Sequence, residues 1–177
     1  PSRDKDRQLI WGWSAFRGPV EIVIPVFNAF DETRQCLDSL GRSSSFPILV
    51  RLVDDGSDGI VVSALKDYVR DKPWMRLHSF GRNRGYTHAA DFGVRNAQSP
   101  WVVLLNSDTI VTRGWLEGML DCARSDPAIG LVGPLSNAAT YQSVPDVYDA
   151  DGTWKVNELP PGLGPDDMAE IVREESR

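Results

Sequence analysis

The stretch Val20-Glu21-Ile22-Val23-Ile24-Pro25-Val26, closed by Phe27-Asn28, decides how the rest of the chain is read. Mostly β-branched, with a single charge and a proline that an internal helical turn would reject, it reads as a strand buried on both faces. Asp31 is placed to cap a helix reaching about Ser43, with Cys36, Leu37 and Leu40 on one face. The alternation then repeats. Pro47 to Val53 is a second strand, ending in Asp54-Asp55-Gly56-Ser57-Asp58-Gly59, and a helix over about 60–71 aligns Val61, Leu65 and Tyr68. Met75 to Phe80 is a third strand, Gly81 to Gly85 a loop, and Tyr86 to Ala97 a helix with Ala90, Val94 and Ala97 aligned. Trp101 to Leu105 is the least polar strand and runs into Asn106-Ser107-Asp108-Thr109. Trp115, Leu116, Met119 and Leu120 mark a further helix, and Ile129 to Val132 reads as a fifth strand.

Strands alternating with helices imply βαβ crossovers, so the expected fold is α/β, an open, mostly parallel sheet with helices on both faces. In such sheets a ligand lies beyond the carboxyl ends of the strands. The residues immediately after each strand are therefore the ones that carry function.

Composition narrows the function. The chain has 177 residues, 25 acidic and 19 basic, with 41% hydrophobic side chains, enough for one folded domain. Residues 146–177 hold nine acids against Lys155, Arg173 and Arg177, so the whole net charge of −6 sits there and the body is neutral. No broad basic face exists for a phosphate backbone, which argues against nucleic-acid binding. No apolar run reaches the ~20 residues that cross a bilayer, and the charged start, Arg3 to Arg7, is not a signal peptide. Three regions are expected: an extension over 1–19 containing the aromatic Leu9 to Phe16, a ligand-binding domain over 20–145, and an acidic Pro/Gly-rich segment over 146–177. After residue 140 the regular pattern fades, and a weakly packed or disordered loop should precede a short helix from Asp166 to Glu174. Cys36 and Cys122 form no metal-ligand pattern and read as small core-facing residues in a reducing compartment.

Collected along one rim, the strand ends supply Phe27-Asn28, Asp54-Asp55, Gly81-Arg82-Asn83-Arg84-Gly85 and Asn106-Ser107-Asp108. A nucleoside diphosphate would use each: a ring for base stacking, carboxylates for imino and ribose hydrogens, and a carboxylate-held cation for the phosphates. The chain has neither GxGxxG after the first strand nor GxxxxGK[ST], which argues against dinucleotide-binding and P-loop sites.

With Val23-Ile24-Pro25-Val26-Phe27-Asn28, Leu52-Val53-Asp54-Asp55-Gly56-Ser57, Asn83-Arg84-Gly85 and Leu104-Leu105-Asn106-Ser107-Asp108-Thr109 in this order, and Gly133-Pro134-Leu135-Ser136-Asn137-Ala138 beyond, the chain resembles the inverting family 2 glycosyltransferases of the GT-A fold. The resemblance covers roughly residues 20–145. It implies that Asp55 contacts the base with Asp54 beside it, and that Phe27 stacks on the base at the Pro25 strand end. It further implies that Asn83 and Gly85 lie near the diphosphate and ribose, with Asn106 and Ser107 at the same groups, and that Asp108 ligates Mn²⁺ or Mg²⁺. Asn106 stands where a full DxD motif has its first acid, so metal affinity without the nucleotide should be weak.

No counterpart of the family's acidic general base precedes Arg177, so the base is expected beyond it and the chain reads as the donor-binding part of a longer protein. The implied donor is a UDP-, dTDP- or GDP-sugar and the acceptor a glycan or lipid-linked hydroxyl. Gly133 to Pro145 is similar to members that build bacterial surface polysaccharides, rhamnosyltransferases included. The same resemblance implies a cytoplasmic location with peripheral association at the inner membrane face.

Plainer readings stand beside these. Asp54-Asp55 suits a turn, Asp58 and Asp108 suit helix caps, and Phe27 suits a strand-end core position. Arg82 and Arg84 read as solvated, His78 and His88 as structural, and Trp11 and Trp154 as the tryptophans most suited to a partner surface. A nucleotide-sugar-binding module without catalysis is the rival function. A phosphoacceptor receiver is disfavoured, because no Lys occurs between Lys72 and Lys155.

Overall fold

A computed structural model describes residues 18–175, so the Leu9 to Phe16 stretch and Trp11 lie outside the described residues. Two compact units emerge, divided between Val111 and Thr112. The first contains β1 (Val20–Val26), α1 (Phe30–Ser43), β2 (Ile48–Asp54), α2 (Gly59–Val69), β3 (Met75–Ser79), α3 (Tyr86–Arg95) and β4 (Val102–Leu104). The strands form one parallel sheet, as the alternation predicts, and their order is β3-β2-β1-β4.

β1 lies at the interior of the sheet and every one of its residues is buried, which explains its unbroken apolar reading. Register pairs Val23 with Arg51 and Pro25 with Val53, placing these on one face. There Val23, Val53 and Ala89 of α3 make a core flanked by Phe80 and Phe92. Gly93 is essential to that contact, because a Cβ on it would stand 2.2 Å from Val23 Cγ1. The buried face of α3 is Ala89, Ala90 and Gly93, so of the trio expected from the sequence Ala90 is buried, Val94 is exposed and Ala97 lies beyond the helix's end. A small residue lets a helix approach a sheet closely, and hydropathy alone does not register that preference.

α1 buries Cys36, Leu37 and Leu40 as expected. Its start differs from expectation: the cap position is Ala29, in left-handed conformation, and Asp31 lies in the first turn, where its charge favours the helix dipole. Asp58 does occupy the cap position of α2, though its side chain makes no capping bond. The Tyr68 hydroxyl donates to Asp38 Oδ1 at 2.6 Å and ties α2 to α1; burial, then this bond, raises the phenol's pKa.

His78 and His88 sit in an aromatic cluster. His78 stacks on Phe92 at 4.2 Å and meets Phe80 edge-on, and Phe80 also packs on His88. β4 has three residues, and Val102 and Leu104 are exposed along the sheet's edge.

The second unit carries α4 (Trp115–Ser125) and α5 (Pro165–Glu175). The strand expected over Ile129 to Val132 does not form: no strand is assigned there and Leu131 is 93% exposed. The run pairs with no strand among the described residues and contains Gly130, which strands disfavour. Residues 136–157 are more ordered than the sequence suggests. Asn157 is buried and clips them together: its Nδ2 donates to the carbonyls of Asn137 and Asp146 at 3.1 and 2.8 Å. The backbone N–H of Asn157 also donates to the Asn137 carbonyl at 2.8 Å. Polar clips of this kind hold a segment without apolar periodicity, which is why pattern reading missed it. α5 docks through Asp166, which accepts the Arg113 N–H at 2.9 Å, and Arg173, which donates to the Arg113 carbonyl. Cys36 is buried as expected, whereas Cys122 is exposed on α4; both are free thiols.

Candidate functional site

Four loops leave the carboxyl ends of the four strands and surround a cavity of about 560 Å³. Its lining is Pro25 and Val26 at the end of β1 with Phe27 after it, Asp55 after β2, Asn83 and the first residue of α3, Tyr86, after β3, and Asn106, Ser107 and Asp108 after β4. Seven of the nine residues to which the family resemblance gives a place in the site thus share one cavity. Asp54 and Gly85 stand behind its wall.

The first loop turns sharply. Asn28 and Ala29 both adopt left-handed backbone, with φ of 54° and 49°. Asn tolerates that region, but Ala pays roughly 1 kcal/mol or more there. The turn persists because it is bolted to the second loop: the Asn28 N–H donates to Ser57 Oγ at 2.7 Å, and the Asp58 N–H donates to Asn28 Oδ1 at 3.0 Å. Phe27, immediately before it, is 52% exposed, so the ring borders the cavity rather than filling the core.

The two adjacent carboxylates do different work. Asp54 ends β2 fully buried; its Oδ1 accepts the Ser57 N–H at 3.0 Å and its Oδ2 accepts the Ser79 hydroxyl. It shapes its own turn and fastens the end of β3. Asp55 is also buried but lines the cavity, and its two oxygens accept the N–H groups of Arg84 and Gly85, each at 2.8 Å. The carboxylate thereby pins the Asn83-Arg84-Gly85 loop to the second strand end. Gly56 permits this approach: its φ is +79°, and a Cβ there would stand 2.1 Å from the Arg82 carbonyl carbon. The Arg84 side chain leans over the Phe80 ring.

The fourth loop is held from below by Cys36, whose Sγ–H donates to the Asn106 carbonyl at 3.6 Å. Burial pushes this thiol up to about 12, with the Asp108 charge acting in the same direction against a backbone bond from Thr109. It stays protonated and serves as packing. Buried Ser39 accepts the Val111 N–H at 3.1 Å and secures the loop's far end. Asn106 and Asp108 are exposed on the cavity side.

No group of three or more His, Cys, Asp or Glu side chains forms a ready-made metal cage among the described residues. The cavity instead offers the Asp108 carboxylate with the Ser107 hydroxyl and Asn106 amide beside it. The carboxylate and hydroxyl oxygens suit a small divalent cation that arrives with phosphate oxygens to complete its shell.

Sequence reading missed Tyr86. It opens α3 directly after Gly85, its ring is 52% exposed at the cavity, and its hydroxyl donates to Asn106 Oδ1 at 3.1 Å. The available signal was an aromatic residue at the first position of a helix beginning at the site loop.

Residues 21–144, which include every one of these loops, match the family described as Glycosyl transferase family 2. The chain belongs to that family. Among its relatives is the N-acetylglucosaminyl-diphospho-decaprenol L-rhamnosyltransferase of Mycobacterium tuberculosis, 29% identical over 126 residues, which are 64% of this chain and 40% of the relative. Another is the uncharacterized glycosyltransferase YibD of Escherichia coli K12, 28% identical over 108 residues, 60% of this chain and 31% of YibD. Among solved structures, the mannosyltransferase PcManGT of Pyrobaculum calidifontis, in complex with GDP-Man and Mn²⁺, superimposes with a TM-score of 0.59 at 21% identity, covering 70% of this chain and 41% of that one. The shared fold is GT-A. The family 2 chain described here spans well under half the length of these proteins. No described helix is long and apolar enough to cross a membrane.

Proposed function

We propose that this family 2 chain is the donor-binding part, residues 20–145, of an enzyme that moves a sugar from a nucleoside diphosphate sugar to an acceptor hydroxyl, with inversion and with help from a divalent cation. The observation that carries the reading is the convergence of Phe27, Asp55, Asn83 and Asn106-Ser107-Asp108 on one cavity at the carboxyl rim of the sheet.

In this reading the exposed Phe27 face stacks on the base. Asp55 retains acceptor capacity beyond its bonds to Arg84 and Gly85, because each carboxylate oxygen accepts more than one hydrogen bond, and it takes the base or ribose hydrogens. Asp54 and Gly85 keep the walls in register, and Pro25 sets the strand end from which Phe27 projects. Asn83 and Ser107 reach the ribose and diphosphate. Asp108 would hold Mn²⁺ or Mg²⁺, which when bound neutralises the charge developing on the leaving diphosphate.

With Asp55 and Asp108 committed to these roles, the base that deprotonates the acceptor is a residue other than these two. A lipid-linked or glycan acceptor agrees with the decaprenol-linked substrate in the name of the mycobacterial rhamnosyltransferase; envelope polysaccharide synthesis and peripheral attachment to the inner membrane face in the cytoplasm belong to the same proposal.

Calorimetric titration with UDP, dTDP and GDP, each with and without Mn²⁺, tests the donor site. One diphosphate should bind, more tightly with the cation, and Asp55→Ala should abolish binding. Failure of all three to bind would remove the reading. Sugar transfer by a chain extended beyond Arg177 would separate an enzyme from a module that binds without catalysing.

A further inference from the structure

We propose that the Tyr86 hydroxyl fixes the orientation of the Asn106 side-chain amide, so that Asn106 meets the donor's diphosphate as a hydrogen-bond donor and not as an oxygen ligand of the cation. The inference rests on the donor-site reading above and assigns Tyr86 a positioning role within it.

The backbone of Asn106 is held independently of its side chain, because its carbonyl accepts from Cys36 Sγ and from the Thr109 N–H at 3.6 and 3.3 Å. Rotation of the side chain is the freedom that remains, and Tyr86 is the group that decides it: the phenol donates to Oδ1 at 3.1 Å. A primary amide has one accepting end and one donating end. With the accepting end given to Tyr86, the Nδ2 group has no protein partner among the described residues, and Asn106 lines the cavity. An unpaired N–H donor on a residue that lines a cavity of this kind suits a phosphate oxygen, since hydrogen bonds to charged groups are the stronger ones.

An aspartate at 106 would take the same bond from Tyr86 yet present a second anionic oxygen, which repels phosphate and attracts a cation. The difference between Asn and Asp at this position therefore divides diphosphate binding differently between protein and metal. With Asn106, the protein itself holds part of the diphosphate, and the cation, carried by the Asp108 carboxylate, has less to do.

The test is calorimetry on the wild type, Tyr86→Phe and Asn106→Asp with UDP, dTDP, GDP and inorganic pyrophosphate, each with and without Mn²⁺, and with the matching nucleosides as controls. Asn106→Asp should weaken metal-free diphosphate binding roughly ten-fold or more, the order expected for a lost hydrogen bond to a charged group, and should steepen the Mn²⁺ enhancement. Tyr86→Phe keeps the ring but frees the amide, so it should shift both quantities in the same direction by about three-fold. Nucleoside affinity should be unchanged in both variants, a pattern that a merely structural role for Tyr86 would not produce.

Wild-type values in Tyr86→Phe, or equal losses for nucleosides and diphosphates, would overturn the proposal while leaving the donor site intact. Failure of the wild type to bind any diphosphate would overturn the donor-site reading and this inference with it.

Discussion

The amino-terminal half of the sheet and its carboxyl rim both bury carboxylates, and they compensate them in opposite ways. Toward the start of the strands, Glu21 accepts from Arg51 through two contacts, Nη2 at 2.6 Å and Nε at 2.8 Å, and its other oxygen accepts the Gln98 N–H at 2.8 Å. Arg51 spends its remaining reach on the Asn96 carbonyl at 2.9 Å. Charge is matched by charge, and the ends of β1, β2 and the segment before β4 are locked together. At the rim, Asp54 and Asp55 accept only neutral donors from Ser57, Ser79, Arg84 and Gly85 backbone or hydroxyl groups, and Asp108 faces the cavity. Among the described residues no cation is paired with the negative charge held there. One end spends its electrostatics on stability, and the other keeps them for a ligand.

The largest effect should come from breaking the compensated end. Glu21→Ala leaves Arg51 without its partner and the Gln98 N–H without an acceptor, and should cost about 3 kcal/mol of stability in urea unfolding, while nucleotide affinity stays within two-fold. A loss under about 1 kcal/mol would mean that water replaces the pair and that the contrast between the two ends is false.

Next is the loop junction at the rim. Gly56→Ala forces a Cβ onto the Arg82 carbonyl carbon at a left-handed backbone position, and should cost about 2 kcal/mol and also weaken diphosphate binding, because Asp55 loses its grip on residues 83–85. Loss of stability with unaltered binding would show that the two loops do not depend on one another.

A purely ligand-directed effect is expected from Asp108→Asn. Its melting temperature should match the wild type, and the Mn²⁺ enhancement of diphosphate binding should fall roughly ten-fold or more. A drop in stability without a change in Mn²⁺ response would move Asp108 to the structural side of the comparison.

The smallest change should be a gain. Ala29→Gly relieves left-handed strain at φ 49° and should stabilise by about 0.5 kcal/mol, reduced by the greater freedom of glycine in the unfolded chain. A destabilisation would show that the turn is held without strain.

Much of the fold was legible because its signals are local. Runs such as Val20–Val26 announce a strand buried on both faces by composition alone, and Gly and Asp at strand ends announce turns. The collection of Phe27, Asp55, Asn83 and Asp108 on one rim followed from the alternation of strand and helix, since parallel strands send all their carboxyl ends the same way. The misreadings share a cause. Val94 was placed on the buried face because it is apolar, whereas contact with Val23 selects Gly93 for its lack of a side chain. Ile129 to Val132 is mostly apolar yet pairs with no strand among those described, and Cys122 was assigned to a core that its helix meets with Leu116 and Leu120 instead.

The sequence by itself determined the class of fold, the rim where a ligand would lie and the residue types offered there, because period and turn chemistry are properties of a few consecutive residues. Only the tertiary structure decided that Asp54 turns inward to Ser57 and Ser79 while Asp55 faces the cavity, and that Tyr86 reaches Asn106 across twenty positions of chain. Those choices depend on which strand and loop come to lie alongside, at separations over which no local preference acts.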